Sequence, residues 1–458
     1  MYGNPHARSP RVRAGLLGGA AAMSLVLALS GCSSDNATTT PAPSDTTMAG
    51  PPADNGKPIT VWVDSDRQAA ADAYTAAYPN DPVTVEVYDG GANGSGTFRT
   101  KMQLFDQAGS GWPDVVFSTQ NNDAAWASQS QGGKDPYAAV LNNGLIPDST
   151  LSGFAQGALD PCTVDGKVYC LRNDLAQDVL WYNKSLMDQF GYDLPTTWEE
   201  YQALGDKVAT EHPGYIIGAQ GDAFTPEIYF WSGKCEANHI TGATSVTVNT
   251  DSTECKRVAS MLDDLLANGT VPNISVFSPE FVQTYTDKVL MMPGPAWYGG
   301  ALFQNPDNVN TPAGQMAVAA PLPWAGEDAV TGDVGGATWF ISSHSENPGL
   351  AAKFATFVTT ADDYQVDLAP GFPAFKAAED KWLTKQDASG YYAESLQPLV
   401  DAGGMIWSGW GSGIFSQEAI WAKVMTPGVT AGKKLVDLLP DWQKAISDQA
   451  KVDGYTVN

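Results

Sequence analysis

Trp297 and Tyr298 directly follow an apolar run that ends in Gly-Pro-Ala, and Trp407 and Trp410 stand in the glycine-rich "MIWSGWGSG". Phe224 and Trp231 lie in and just after "GAQGDAF". Rings beside glycine and proline keep a face clear of neighbouring side chains. Such a face can lie against apolar C–H surface or beneath a cation. Short polar groups recur where apolar runs end: Asp64 and Asp66 after "ITVWV", Gln120 and Asn121 after "VVFST", Asp174 after Arg172-Asn173, and Asp222 beside Phe224. Carboxylates accept hydrogen bonds, and amides both accept and donate. Flat platforms ringed by such groups suit a neutral sugar, with its hydroxyl edges and apolar faces. A polyamine or a peptide is the other guest the same set would serve. Arg172 is expected either at the ligand or in an ion pair between two halves of the molecule.

Other chemistries lack their residues. Beyond the first thirty residues the histidines are His212, His239 and His344, scattered and without HExxH spacing. No G-x-S-x-G elbow occurs. No Gly-Lys pair is followed by Ser or Thr, so an ATPase must be a separate chain. "GGANGSGTFRTK" is glycine-rich but lacks dinucleotide spacing and reads as a loop. With 25 Lys+Arg against 51 Asp+Glu there is no basic footprint for nucleic acid. Neither a cofactor nor a metal is implied. A carboxylate pair of the glycosidase kind is the one catalytic alternative that so many acids leave open.

These groups must be held by elements that the hydrophobic pattern lays out in order. "ITVWV", "VTVEVYD" and "PDVVFST" read as strands, separated by the helical "DRQAAADAYTAAYP" and "TFRTKMQLFDQAGSG". That alternation predicts a mostly parallel α/β sheet, with ligand groups at the carboxyl ends of its strands. A second unit starts near "VLWYN". Thr197 is a helix cap before "WEEYQALGDKV", and "GYIIGAQ" is a strand. "CKRVASMLDDLLANG" is an amphipathic helix, "KVLMMPG" and "TWFIS" are strands, and the last 90 or so residues are mainly helical.

The start of the chain is of another kind. Arg8, Arg11 and Arg13 precede an apolar run from Leu16 to Leu29, too short for the ~20 residues a spanning helix needs. Leu29-Ser30-Gly31-Cys32 resembles the lipobox of bacterial lipoproteins, which implies cleavage before Cys32 and a diacylglyceryl group on its sulfur. Residues 33–57 are rich in Ser, Thr, Pro and Asp and read as a flexible tether reaching on the order of 25–30 Å. Four cysteines remain, an even number for an oxidising compartment. "CTVDGKVYC" reads as a hairpin turning at Asp165-Gly166. A three-residue loop would set Val164 opposite Val168 and Cys162 opposite Cys170. Cys235 and Cys255 form the second pair.

Read in order, "ITVWVDSD", "GWPDVVFSTQNND", "VLWYNKSLMD", "LPTTWEEYQAL", "KVLMMPGPAWYGG", "GGATWFISSHSENPGLAAKFATFV" and "MIWSGWGSGIFSQEAIWAKV" resemble the family 1 extracellular solute-binding proteins of ABC importers. The blocks cover about 59–440, nearly all of the chain after the tether. The resemblance implies a type II periplasmic-binding-protein-like fold, two α/β lobes with a ligand cleft between them. It also makes the lobes discontinuous: a signal at 1–31, a tether at 32–57, one lobe at 58–172 and 322–366, the other at 173–321 and 367–458. It further implies a monomeric, non-catalytic sugar receptor, anchored outside the cytoplasm by lipid, that serves the membrane subunits of an importer. Ala176 stands where maltose binders carry a carboxylate, and "GPAWYGG" displaces the aromatic by one, so the sugar's identity does not carry over.

Overall fold

The strand-forming and helix-forming runs alternate from the first described residues onward. The computed structural model describes residues 53–92, 95–130 and 133–458; Cys32, the leader and most of the tether lie outside them. In chain order the main elements are β1 (Ile59–Val63), α1 (Gln68–Ala77), β2 (Val83–Val87), α2 (Thr97–Ala108), β3 (Val115–Ser118), β4 (Cys170–Arg172) and β5 (Asp178–Asn183). There follow α3 (Trp198–Glu211), α4 (Thr253–Ala267), β6 (Met291–Pro295), β7 (Met316–Ala319), β8 (Thr338–Ile341), α5 (Pro348–Thr360), α6 (Gln417–Thr430) and α7 (Leu435–Val452).

Two sheets carry the fold. The first has the order β2-β1-β3-β8-β4. Strands β1, β2 and β3 are parallel, as the alternation predicts. β8 returns from far along the sequence and lies antiparallel to both β3 and β4. Every residue of β3 and β8 is buried, whereas the edge strand β2 is half open to water. Central strands covered on both faces read as unbroken apolar runs for this reason. The second sheet is antiparallel throughout, with β5 between β6 and β7.

Local signals account for the helix ends. Thr197 accepts from the Glu200 amide at 3.2 Å and starts α3, and Ser252 accepts from Cys255 at 3.1 Å and starts α4. After α4 the chain turns at Gly269 with a positive φ of 84°. "GYIIGAQ" departs from expectation, because only Ile216 pairs there, as a single bridge to Val289. The amides of Ile217 and Gln220 instead donate to Thr270 and Pro272, so this run is tied to the loop after α4.

The hairpin register also differs. Val164 faces Lys167 and Thr163 faces Val168, which leaves a two-residue turn. Asp165 and Gly166 both take positive φ, the geometry of a type I′ turn, and this shortens the loop by one residue. The bonds Cys162–Cys170 and Cys235–Cys255 are both formed.

Residues 54–57, read from composition as the end of the tether, are bonded to the body. Asp54 accepts from the amides of Gly349 and Leu350 at 2.8 and 2.9 Å, and so caps the start of α5. The Asn55 amide donates to Asn347 Oδ1 at 2.8 Å. Composition misses this because helix capping requires short polar residues of the kind that also fill linkers.

Candidate functional site

The two sheets are joined by crossing segments that bond to one another. Gln177 bridges Asp333, the Val334 amide donates to Ala176, and Phe372 and Pro373 pair with Leu175 and Asp174. Arg172 is buried here and pairs with Asp333 at 3.2 Å; by the expected bounds both belong to one lobe, so this is an ion pair within a half and not the one between halves that the sequence suggested. Gly336 fits because a Cβ would sit 1.8 Å from Arg172 Nη2. Asp178, at the head of β5, is buried, and neither carboxylate oxygen has a hydrogen-bond partner. Burial, then the charge of Asp333, pushes its carboxyl well above the usual range.

Beside these crossings lies a cleft walled from both sides. The loop after β3 supplies Thr119, Gln120, Asn121 and Asn122, and the crossing segment supplies Gly335. The opposite wall holds Glu227 and Trp231 on a short π-helix (Pro226–Trp231), Asn238, Trp410 to Gly413, and Phe415 to Glu418 at the start of α6. Trp231 and Trp410 stack at 5.4 Å and 11°. Trp231 Nε1 donates to the Trp407 carbonyl at 2.8 Å, fixing the ring.

The walls touch. Gln120 Nε2 donates to Glu418 at 3.2 Å, Asn122 Nδ2 donates to the Phe415 carbonyl at 2.9 Å, and Arg99 donates to the Ile414 carbonyl. The cavity between the walls is only about 20 Å³, so a ring-sized guest enters when the walls part. Gln120, Asn122, Phe415 and Ser416 also border a wider groove of about 530 Å³ between α2 and the pair α6–α7.

The electrostatics are one-sided. Among the described residues, no Lys, Arg or His lines the inner cleft. Glu227 Oε2 is buried without a partner. Burial, then Glu418, raises the Glu227 carboxyl well above its ordinary value, and burial brings Glu418 up to about 7. A guest bringing a hydrogen-bond donor or a positive charge would give Glu227 Oε2 the partner it lacks.

Of the residues expected at the site, Gln120, Asn121, Trp231 and Trp410 line the inner cleft together. Trp297 adjoins it: its Nε1 donates to Val334 at 2.8 Å and lies beside Gly335. Phe224 meets Trp297 edge-on at 5.9 Å. Trp407 is not part of the inner lining; its half-buried indole packs against Gly409, where a Cβ would lie 2.1 Å from it. Others have partners of their own. Asp64 accepts from the Arg67 amide and guanidinium, Asp66 points to solvent, and Asp174 is buried at the crossing beside Asn173. Tyr298 is buried against Gly294, and Asp222 holds the loop at Ser275 and Val276. Glu227, Glu418, Asn238 and Gln417 were not singled out from sequence. A lone acid inside apolar runs, as in "TPEIYFW" and "FSQEAIW", is the signal that marks the first two.

Comparison with known proteins agrees with this architecture. The model of the bacterial extracellular solute-binding protein family matches residues 61–365. An arabinooligosaccharide-binding protein from Halalkalibacterium halodurans is 24% identical over 275 residues, and the match spans 58% of either chain. A binding protein from B. animalis subsp. lactis, solved with β-1,6-galactobiose, superposes with a TM-score of 0.71 at 23% identity, over 88% of this chain and 100% of that one. The galacto-N-biose-/lacto-N-biose I-binding protein of Bifidobacterium longum, solved with lacto-N-biose, gives a TM-score of 0.65 at 19% identity, over 88% and 100%. With most of the described body matched and both sheets arranged as in two-lobed neighbours, this chain belongs to the bacterial extracellular solute-binding proteins.

Proposed function

We propose that this protein captures a sugar, as a mono- or oligosaccharide, in the cleft between its lobes and passes it to the membrane subunits of an ABC importer, without catalysis. The observation that carries this is the inner cleft itself. The Trp231–Trp410 stack stands beside the carboxyl groups of Glu227 and Glu418 and the amides of Gln120 and Asn121. Aromatic rings take the apolar face of a pyranose, and the carboxyls and amides take its hydroxyl edge. The sugars named for the relatives support the same class. The lobes are read as 58–172 with 322–366 and 173–321 with 367–458; the return of β8 to the first sheet supports this division. Closure around the guest is driven by contacts it makes with both walls.

The body acts as a monomer tethered through a diacylglyceryl group on Cys32. Mass spectrometry of the mature amino terminus tests the anchor, and Cys32→Ser should release the protein into the medium. A second reading has its own support. The unpartnered Glu227, in a lining without a cation among the described residues, would equally accept a cationic solute such as a polyamine or a basic peptide.

A thermal-unfolding screen of sugars, amines and peptides separates the two. A guest at a hundred times its dissociation constant stabilises by about 2.7 kcal/mol. Shifts with sugars alone support the first reading, and shifts with amines or peptides alone replace it by the second. Chromatography of the same mixtures should recover every sugar intact; cleaved products would make the protein an enzyme.

A further inference from the structure

Cys235 stands four residues after Trp231 and three before Asn238, so its bond to Cys255 falls between two parts of the cleft lining. Both cysteines are fully buried. The chain reaches Cys235 from a weakly anchored element. The π-helix Pro226–Trp231 has no side-chain cap at its start, and the Cys235 amide closes its far end by donating to the Phe230 carbonyl at 2.9 Å. Just before Cys235, Lys234 takes a φ of 62°, a left-handed conformation that a lysine keeps only where its surroundings impose it.

The other end of the bond is rigid. Cys255 lies in the first turn of α4, its amide donating to the cap Ser252. Farther along α4, Asp263 accepts from the Leu435 and Val436 amides at 2.6 and 3.1 Å and so holds the start of α7. Lys234 and Arg257 both reach Glu327, which joins the same two segments by charge. Those side chains are partly open to water, where such pairs contribute little.

Past Cys235 the chain frames the cleft wall. Asn238 exchanges two hydrogen bonds with Gly411: the Gly411 amide donates to its carbonyl at 3.0 Å, and its Nδ2 donates to the Gly411 carbonyl at 2.5 Å. Gln417 Nε2 donates to Asn238 Oδ1 at 3.1 Å, and Trp442 Nε1 donates to Gln417 Oε1 at 3.2 Å. Trp410 precedes Gly411 and Glu418 follows Gln417, so the placement of both depends on Asn238. The Cys162–Cys170 bond has no such setting. It closes a hairpin, and none of the residues from Cys162 to Cys170 lines the inner cleft.

We infer that the Cys235–Cys255 bond positions the binding wall, fixing Trp231 on one side of it and Asn238 with its partners on the other, whereas Cys162–Cys170 serves stability alone. This rests on the cleft being the binding site and not on which guest it takes. The two cysteines touch no guest; they act through the residues that do.

Amide hydrogen exchange of the mature, guest-free protein tests the wall directly. In Cys235→Ala with Cys255→Ala, segments 226–238 and 409–418 should exchange about tenfold or more faster, with the first sheet unchanged. Cys162→Ala with Cys170→Ala should leave both wall segments as they are. Calorimetric titration below the unfolding transition, with β-1,6-galactobiose, arabinotriose and spermidine as probes, reads the consequence. Whichever probe binds the unaltered protein should bind the first variant about tenfold or more weaker, and the second as before. Faster exchange spread evenly over the body, an equal loss of affinity in both variants, or a loosened wall with unchanged affinity would each overturn the inference. Should the alanine pair not fold, Cys235→Val with Cys255→Ala refills the space of the sulfurs. Failure of that pair too, with the control folded, makes the bond a condition of folding and removes its positioning role. Silence from all three probes in the unaltered protein counts against the sugar and amine readings, while the exchange rates still decide the inference.

Discussion

The Asp222 carboxylate shows how a residue type that suits ligand binding can be spent on the scaffold. It is buried, and both of its oxygens already accept from the loop at Ser275 and Val276. Burial still raises its pKa, so these bonds do not fully offset the loss of water. Asp222→Ala would leave a hydroxyl and an amide without acceptors, at a cost of roughly 1–3 kcal/mol. The expected result is an unfolding free energy lowered by that amount, with sugar affinity largely kept. Unchanged stability with lost affinity for all sugars would instead make Asp222 a direct ligand group. Sequence alone did not separate these roles, because the partner Ser275 lies 53 residues away. The same distance problem hid Glu227 and Glu418, which meet only when two remote helices are brought to one cleft. Gln120, Asn121, Trp231 and Trp410 were legible because strand ends and glycine-flanked rings are local features.

At the scale of elements, the strands and helices with strong periodicity appear where the pattern puts them, and the departures have local causes. "GYIIGAQ" is apolar enough for a strand, yet its amides are taken by a loop. The hairpin at Asp165-Gly166 is tighter than expected because both residues accept positive φ. The least legible elements are the crossing segments, whose partners lie far away along the sequence. Their tolerance can be tested by comparing two neighbouring glycines. Gly335 and Gly336 both have positive φ, so alanine at either costs about 1–2 kcal/mol in backbone strain. At Gly335 the nearest atom to a new Cβ is 3.5 Å away, whereas at Gly336 it is the Arg172 guanidinium at 1.8 Å. Gly336→Ala must therefore displace Arg172 from Asp333, and breaking such a buried pair costs about 3–5 kcal/mol. Urea unfolding should place Gly336→Ala well below Gly335→Ala; equal midpoints would mean that the Arg172–Asp333 pair contributes little to the crossing.

For the whole molecule, the cleft couples shape to pH. Glu418 faces Gln120 across the cleft, with Asp123 and Asp222 as the acids that add to its rise. Burial is the larger cause, and together these bring the group from its ordinary 4.5 to about 7 in the shut form. When the walls part, Glu418 regains water and its usual acidity. The shut form then binds more protons than the open form between these two values, so acid favours closure and closure is lost as pH rises through about 7. Glu227, also raised mainly by burial, acts with the same sign. Small-angle scattering of the ligand-free protein should therefore give a smaller radius of gyration at pH 5 than at pH 8. Glu418→Gln should weaken that dependence, and Glu227→Gln with Glu418→Gln should remove it, because an amide fills the same space without a proton to lose. A radius that follows pH equally in the double variant would locate the proton elsewhere, with Asp178 at the crossing as the next group to replace. A radius independent of pH in the unaltered protein would mean that these carboxyl groups keep their water when the walls meet.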